Sequence, residues 1–428
     1  MALDLSVAAA HVLADAGAFE GHRPIAIVGR DTRASGEFLE AAVVAGLASA
    51  GVDVVQVGVL PTPAIAWLVA TSGADLGVML SASHNPMPDN GIKFFARGGH
   101  KLEDAIEDAI EKRLGEDWDR PLGADVGRIR TDPDAAERYI SFLVGTITTP
   151  LTGLRVVVDC ANGAASAVAP AALRRAGAEV TAIHSDPDGI NINEGCGSTH
   201  MEDLIAAVRS SGADVGIAHD GDADRCLAVD ATGAIVDGDH ILAILAMGMR
   251  DGGTLAGGAV VSTVMANLGF KIAMQQAGIE VRETAVGDRY VLEEMRAHGF
   301  TLGGEQSGHV VMLEHATTGD GVLTALHLLA RMAQTGSSLA ELASAVTKLP
   351  QVLINVRDVD RARLDSATTV HAAVATAEAD LDGRGRILLR PSGTEPVIRV
   401  MVEAPSEEQA TAIAETIADL VRAELSTD

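Results

Sequence analysis

The stretch RVVVDCANGAASAVAPAALRRAGAEVTAI, residues 155–183, carries the pattern that decides the fold class. An apolar run from Arg155 to Val158 precedes an alanine-rich segment with helical spacing, Ala165 to Ala176, and a second run follows from Glu179 to Ile183. Short runs rich in β-branched residues predict strands, and the longer periodic segment predicts a helix. The stretch therefore predicts a strand–helix–strand unit, which is typical of α/β domains with largely parallel sheets.

The same pattern occurs twice more in the chain. The two further units have predicted strands at 25–28, 52–57, 259–262 and 280–284, with predicted helices at 37–50 and 265–277. Repetition of one supersecondary pattern predicts three similar α/β domains with mixed, largely parallel sheets.

The C-terminal part of the chain has a different pattern. Predicted strands lie at 353–356, 385–389 and 397–402, and predicted helices at 368–380 and 406–425. This mixture without regular alternation predicts a small α+β domain after a linker at Lys348–Gln351. The predicted domains are residues 1–145, 146–237, 238–349 and 350–428.

The composition excludes several classes of protein. The chain has 428 residues, a net charge of −27 and a pI of about 4.7, which disfavours a non-specific binder of nucleic acids or anionic membranes. With 47% hydrophobic and 21% charged residues, it can fill cores and is not disordered. An anionic substrate would need a locally basic pocket, so arginines near glycine-rich loops are informative.

Cysteine use and the apolar segments predict a cytoplasmic protein. The three scattered cysteines, with no C-x-x-C spacing, are typical of a reducing compartment. The N-terminus has no basic region of the kind that opens a signal peptide. A long uncharged run, Gly252 to Phe270, contains five glycines and predicts a loop, a strand and a helix start rather than a membrane span.

A serine loop, Ser81–Pro86 (SASHNP), lies between apolar runs at Leu76–Leu80 and Ile92–Phe95. Ser83 followed by His84 raises the question of a nucleophile and its base. Neighbouring side chains of an extended chain point to opposite faces, so we expect His84 not to serve as the base. No G-x-S-x-G elbow surrounds Ser83. A serine that only satisfies a turn is an equal alternative at this point.

An aspartate loop, DGDADR, follows a short apolar run. Asp220, Asp222 and Asp224 can converge on one hard cation, for which Mg²⁺ is the expected metal. An EF-hand is excluded because Arg225 and Ala231 stand where that loop needs Gly and Glu. A solvated acidic turn is one alternative. A second is a phosphatase that resembles the haloacid dehalogenases, in which the first aspartate is phosphorylated.

Two further loops contain polar groups that could bind a substrate. In GGEQSGH, Glu305 and Ser307 could bind sugar hydroxyls or an amino group, and His309 could position substrate or move a proton. A plain turn explains that loop equally well. In RPSGTEP, the backbone around Ser392–Thr394 can form an anion nest between Arg390 and Arg399. No Walker A pattern is present, so ATP is not implied.

Other charged residues follow predicted strands, where α/β domains bind ligands. They are Arg30 and Arg33 of GRDTR, and Asp288 and Arg289 of VGDRY. Lys93 stands just after the serine loop. Each alone is more often a surface residue, but together they place positive charge in each α/β unit. A strand-end serine, a metal loop, a hydroxyl-binding loop and a phosphate nest are the parts that phosphoryl transfer needs.

These motifs, in this order, resemble the α-D-phosphohexomutase superfamily from about Ile25 to Glu403. The sequences at 191–200 (NIN..CGSTH), GGEQSGH and RPSGTEP are most similar to the bacterial phosphoglucosamine mutases. The resemblance implies three homologous α/β domains and a TATA-box-binding-like α+β domain around a central cleft.

The resemblance also implies roles for individual residues. Ser83 would be a phosphoserine that, with Asp220, Asp222 and Asp224, coordinates one Mg²⁺ per subunit. His84 and Arg225 would steady its phosphate, and Lys93 would transfer protons. The substrate-binding set would be Arg30, Asp288, Arg289, Glu305, Ser307 and His309, with Arg390, Ser392, Gly393, Thr394 and Arg399 on the distal phosphate.

The implied reaction interconverts glucosamine 6-phosphate and glucosamine 1-phosphate through a 1,6-bisphosphate, supplying UDP-N-acetylglucosamine and peptidoglycan synthesis. The expected partners are small sugar phosphates, and the expected assembly is a monomer or homodimer. Alternatives are a phosphomannomutase/phosphoglucomutase, an Asp-nucleophile phosphatase and a non-catalytic sugar-phosphate sensor. One departure is that the family's usual opening segment, FGTDGVRG, does not precede Met1, so we expect a misassigned start, a truncation or weakened activity.

Overall fold

The computed structural model describes residues 1–19, 21–392 and 397–426. The chain divides into two compact units. The first comprises Met1–Met265 and Gly278–Ala345, and the second comprises Ala266–Ala277 and Val346–Asp428. Among the described residues, three sheets belong to the first unit and one to the second.

The first sheet has six strands in the order β5-β4-β3-β1-β2-β6. Strands β1, β2, β3 and β6 run parallel, and β4 is antiparallel to both β3 and β5. All five residues of β3 are buried, as expected for a strand covered on both faces. The elements are α1 (Ala2–Asp15), β1 (Ile25–Arg30), α2 (Ser35–Ser49), β2 (Asp53–Val59), α3 (Thr62–Ser72), β3 (Leu76–Leu80), β4 (Ile92–Ala96), β5 (His100–Lys101), α4 (Asp104–Lys112), β6 (Ile129–Thr131) and α5 (Ala135–Gly145).

The second sheet has the order β11-β10-β9-β7-β8, with β7, β8 and β9 parallel and β10 antiparallel to its neighbours. Its elements are β7 (Arg155–Asp159), α6 (Ala165–Arg175), β8 (Glu179–Ile183), α7 (Glu202–Ser211), β9 (Val215–Ala218), β10 (Leu227–Asp230) and β11 (Ile235–Val236). The predicted unit at 155–183 is thus confirmed to within one residue at each helix and strand boundary.

The third sheet has the order β13-β12-β14-β15, with only its β14–β15 pair antiparallel. This part of the chain contains α8 (Gly238–Asp251), β12 (Ala259–Thr263), α9 (Leu268–Gln276), β13 (Glu280–Thr284), α10 (Asp288–His298), β14 (Leu302–Gly304), β15 (Val310–Met312), α11 (Gly321–Thr335) and α12 (Leu339–Ala343). Helix α9 belongs to the second compact unit.

The second unit contains a three-stranded antiparallel sheet in the order β16-β18-β17. Its elements are β16 (Gln351–Arg357), α13 (Thr368–Leu381), β17 (Arg386–Pro391), β18 (Val397–Glu403) and α14 (Glu407–Leu425). Val400, Val402, Ile417 and Val421 pack in its core. The fully buried Glu403 accepts a hydrogen bond from the Leu268 backbone N–H at 2.8 Å, which fixes α9 to this sheet.

The predicted fold class is confirmed: three mixed α/β sheets precede an antiparallel α+β sheet. The run from Gly252 to Phe270 contains β12 and the first turn of α9, as predicted. Within the described residues, every helix is too short or too polar to cross a membrane. The domain boundaries given above stay predictions.

Candidate active site

The serine loop leaves the carboxyl end of β3 as a turn rather than as extended chain. Ser83 has a left-handed backbone with φ 52°, and its Oγ lies 3.3 Å from Nδ1 of His84. The expectation that these side chains point apart is therefore wrong, because it assumed an extended backbone. Burial first, and then Arg225, lower the pKa of His84. His84 is accordingly neutral near pH 7 and can share a proton with the Ser83 hydroxyl.

Arg33, the second arginine of the GRDTR segment, holds this turn in place. Its side chain is 2% exposed and binds Asp31 through Nε at 3.0 Å. Its two terminal nitrogens donate to the carbonyl oxygens of Ser83 at 3.2 Å, Asn85 at 2.9 Å and Pro86 at 2.5 Å. A left-handed backbone at a serine is unfavourable by itself, so such bonds stabilise the conformation.

Asn193, from the NIN segment, adds a second clamp. Its side-chain N–H groups donate to the carbonyl oxygens of Ser83 at 2.9 Å and Asn85 at 3.0 Å. Ser81 also stabilises the turn, because its hydroxyl accepts a hydrogen bond from the Ser83 backbone N–H at 3.0 Å and donates one to Asp31 at 2.6 Å. The loop is therefore shaped by donors from both the first and second sheets.

The aspartate loop leaves the carboxyl end of β9 and meets the serine loop. The Ser83 hydroxyl donates to Oδ2 of Asp220 at 2.7 Å. A Cβ on Gly221 would lie 2.6 Å from the Ser83 carbonyl oxygen, so only glycine permits this approach. Asp220, Asp222 and Asp224 each offer a carboxylate oxygen, and these oxygens lie within 4.8 Å of one another.

Repulsion among these buried carboxylates affects their ionisation. Burial, followed by Asp224 and Asp222, raises the pKa of Asp220 well above its usual range. Burial also opposes ionisation of Asp224, but His309 and Lys93 outweigh it and hold the pKa of Asp224 below its usual range. Oδ1 of Asp222 and Oδ1 of Asp224 are buried and accept no hydrogen bond within the described residues. These two oxygens suit a hard divalent cation.

Two cations border the aspartates. Lys93, on β4, places Nζ 2.6 Å from Oδ2 of Asp222 and 3.9 Å from Oδ2 of Asp224. Burial alone would lower the pKa of Lys93. The negative charges of Asp222 and then Asp224 outweigh burial and raise this pKa above its usual value, so the amine is protonated. The second cation is Arg225, whose buried guanidinium Nε lies 3.9 Å from Oδ1 of Asp224. The backbone N–H of Arg225 also donates to Oδ1 of Asp220 at 3.2 Å.

The GGEQSGH loop forms the turn between β14 and β15. Nδ1 of His309 lies 3.6 Å from Asp224, and Nε2 lies 3.6 Å from Asp288. Glu305 accepts from the Gly287 N–H at 3.2 Å. The Ser307 hydroxyl is buried and makes no hydrogen bond in the part of the chain that the structure describes. His309 thus joins this loop to the metal-ligand candidates, and Ser307 offers an unused polar group.

Asp288 and Arg289 have different partners although they are neighbours. Asp288 pairs with Lys101 of β5 and with His309, which together outweigh burial and lower its pKa. Arg289 pairs with Asp104 and Glu293. Lys101 was not predicted, because a lysine in a two-residue strand carries no motif.

Arg30 lies at the end of β1 and donates to Glu40 of α2 at 3.1 Å. Arg30 and Glu40 therefore form an ion pair that joins β1 to α2. Arg33, three residues later, is in contact with the serine loop.

The second unit carries the predicted phosphate-binding residues. Arg390 on β17 lies directly opposite Arg399 on β18, and burial together with Arg399 lowers the pKa of Arg390. Like charges directly opposite each other on paired strands are destabilising, and a bound anion would reduce the repulsion between the two arginines. Ser392 is buried, with its carbonyl oxygen 2.5 Å from the Arg361 guanidinium. Gly393 and Thr394 lie outside the described residues.

Four segments of the chain match the sequence family described as phosphoglucomutase/phosphomannomutase. Its α/β/α domains I, II and III match residues 1–119, 137–233 and 237–349, and its C-terminal domain matches residues 353–420. The chain belongs to this family. The predicted resemblance to the phosphohexomutases is confirmed, and with it the prediction of an isomerase.

Full-length relatives narrow the similarity within the family. A phosphoglucosamine mutase of Nocardioides sp. is 65% identical over 426 residues, which cover 100% of this chain and 95% of the relative. A phosphoglucosamine mutase of Streptomyces griseus is 64% identical, with coverage of 99% and 95%. A phosphoglucomutase/phosphomannomutase family protein of Burkholderia thailandensis has a solved structure with a TM-score of 0.82 at 26% identity, covering 99% of this chain and 93% of that one.

Most of the predicted residues of the first unit form one contact network. Ser83 contacts His84 and Asp220, and Arg225 joins Asp220 to Asp224. Lys93 joins Asp224 to Asp222, and His309 joins Asp224 to Asp288. Arg30 and Arg289 pair elsewhere in the same unit. The roles given to these residues stay predictions.

Proposed function

We propose that the protein is a phosphoglucosamine mutase that interconverts glucosamine 6-phosphate and glucosamine 1-phosphate. The observation that carries the proposal is the Ser83 hydroxyl, 2.7 Å from Asp220 inside a cluster of three buried aspartates. A phosphoryl group on that oxygen would adjoin carboxylates that can share a cation with it. Relatives 62–65% identical are named phosphoglucosamine mutase, which supports the amino sugar as substrate.

Mg²⁺ is the proposed metal, held by Asp220, Asp222, Asp224 and the phosphate on Ser83. The unpartnered buried oxygens of Asp222 and Asp224 support this assignment. When bound, the ion neutralises charge on the moving phosphoryl group.

The chain's own residues would perform the remaining tasks. The phosphoryl group passes from Ser83 to one sugar hydroxyl, the 1,6-bisphosphate turns round, and its other phosphoryl group returns to Ser83. We assign Lys93 to proton transfer, since its ammonium adjoins the cluster through Asp222. His84, in contact with the Ser83 oxygen, and Arg225 steady the phosphate.

Substrate binding is divided between two sets of residues. Glu305, Ser307 and His309 are proposed to bind the sugar, with Arg30, Asp288 and Arg289 in support; the unused Ser307 hydroxyl suits a sugar hydroxyl. The distal phosphate is assigned to Arg390, Ser392, Gly393, Thr394 and Arg399. The opposed pair Arg390–Arg399 supports an anion there.

The organisation proposed for the protein follows the family. We propose the four-domain division given above, a monomer or homodimer, a cytoplasmic location and small sugar phosphates as the partners. The four family segments support the division.

Peptide mapping for phosphate on Ser83, combined with a substrate panel, tests the proposal. Wild type should carry phosphate on Ser83 and prefer glucosamine phosphates, whereas Ser83→Ala should lose nearly all turnover and the exposed control Ser210→Ala should not. A strong preference for glucose phosphates would indicate a phosphoglucomutase instead. Release of free phosphate that survives in Ser83→Ala would indicate an Asp-nucleophile phosphatase.

A further inference from the structure

Thr62 is the first residue of α3 and is completely buried, yet its partner lies 160 residues away. Its hydroxyl donates to Oδ2 of Asp222 at 2.5 Å. Its backbone N–H donates to the carbonyl oxygen of Asp222 at 3.0 Å. One residue therefore fixes both the main chain and the carboxylate of a proposed metal ligand.

The two oxygens of Asp222 have unequal surroundings. Oδ2 accepts from Thr62 at 2.5 Å and from Lys93 at 2.6 Å. Oδ1 is buried and accepts no hydrogen bond from any described residue. Two donors on one oxygen orient the carboxylate so that the other oxygen is available to a cation, as outer-shell partners of metal ligands do.

Two prolines flank Thr62 at the start of α3. Pro61 precedes the helix and Pro63 lies in its first turn, which fixes the backbone of the helix start. The N-cap residue of α3 is Pro61, so Thr62 stands at the first helical position, and the helix start has no side-chain cap. The hydroxyl is bound to Asp222 instead, so it is not needed for the helix itself.

We propose that Thr62 is a positioning residue for Asp222, holding Oδ2 so that Oδ1 presents to the divalent cation. The inference rests on the proposed function, in which Asp222 is a metal ligand. Lys93 binds the same oxygen from the end of a long side chain on β4, whereas Thr62 binds it from the first turn of α3 and also holds the Asp222 main chain.

Direct Mn²⁺ binding, followed by electron paramagnetic resonance of the free ion without substrate, tests this role. Thr62→Val keeps the shape but removes the hydroxyl, and should weaken Mn²⁺ binding about 10- to 100-fold. Thr62→Ser keeps the hydroxyl and should stay within about threefold of wild type. Thr71→Val, on the exposed part of α3, is the matched control. The Mg²⁺ concentration for half-maximal activity should rise in Thr62→Val.

Circular dichroism and melting temperature establish that each variant folds. If Thr62→Val does not fold, Thr62→Ala against Thr62→Ser gives the same comparison, and weaker Mn²⁺ binding by the alanine variant alone supports the proposal. Unchanged Mn²⁺ binding in the folded hydroxyl-free variant overturns it. Asp222→Asn distinguishes the metal-ligand role of Asp222 from the positioning role of Thr62. If Asp222→Asn also leaves Mn²⁺ binding unchanged, the assignment of Asp222 as a metal ligand is wrong. If Asp222→Asn weakens Mn²⁺ binding and the hydroxyl-free Thr62 variant does not, only the role of Thr62 is overturned.

Discussion

The aspartate loop of the first unit and the arginine pair of the second unit both bring like charges together, but the charges have opposite sign. Asp220, Asp222 and Asp224 bring like negative charges together, and Lys93 lies among them. The arginine pair instead places two positive charges in direct cross-strand register. In both regions like charges repel, and a ligand of opposite charge would relieve the repulsion. The repulsion lowers the stability of the ligand-free protein and would favour binding of such a ligand.

Breaking the negative cluster should have the largest effect. Asp220→Asn removes the carboxylate that binds the Ser83 hydroxyl and should lower kcat by about 10³-fold, equivalent to several kcal/mol of transition-state stabilisation. The same change removes repulsion, so the melting temperature without metal should rise. Steady-state kinetics at saturating Mg²⁺ and thermal unfolding with EDTA measure the two effects. A fall in both would contradict the repulsion described here.

Asp320 is a buried carboxylate outside the set of proposed metal ligands. It shows what burial does to a carboxylate that is not in the aspartate cluster. Asp320 caps α11 and accepts from the buried Tyr139 hydroxyl at 2.6 Å, and burial raises its pKa to about 6. Because the unfolded chain loses this proton near pH 4 and the folded chain near pH 6, stability falls as pH rises through that window. The total loss is up to about 3 kcal/mol, from two pKa units at about 1.4 kcal/mol each.

Asp320→Asn removes this titration, so its melting temperature should gain on that of wild type as the pH rises from about 4 to 6. Tyr139→Phe removes a bond that lowers the Asp320 pKa, so the decline in stability should extend to higher pH. Equal pH dependence in wild type and Asp320→Asn would show that Asp320 ionises without cost.

Breaking the positive pair should have a smaller effect on catalysis. Arg390→Met removes one cross-strand charge and should weaken substrate binding about 10- to 100-fold, the loss of one charge-assisted contact to phosphate. It should also raise the stability of the free enzyme. Substrate KM, with Arg384→Met at a nearby turn as the control, tests the first expectation. An unchanged KM would remove Arg390 from the phosphate site.

Sequence reasoning succeeded where local pattern decides the structure. The β-branched runs at Ile25, Arg155 and Ala259 became central parallel strands, because a strand buried on both faces must be apolar throughout. The carboxyl ends of β3 and β9 carry the serine and aspartate loops, which their positions in the sequence predicted.

It failed where distant residues decide the conformation. The left-handed turn at Ser83 depends on Arg33 and Asn193, neither of which adjoins it in sequence. The contact of Thr62 with Asp222, and of Lys101 with Asp288, likewise depends on packing between sheets. Sequence spacing does not predict such pairs, because residues so far apart along the chain come close together only in the folded structure.

The bond between Ser83 and Asp220 spans 137 positions of the chain. The polypeptide leaves the ribosome from its N-terminus, so the first sheet is complete well before the aspartates have been synthesised. Every nascent chain shorter than 224 residues consequently lacks the full set of proposed metal ligands. The contact between Ser83 and Asp220 can form only after about half of the 428-residue chain has been synthesised.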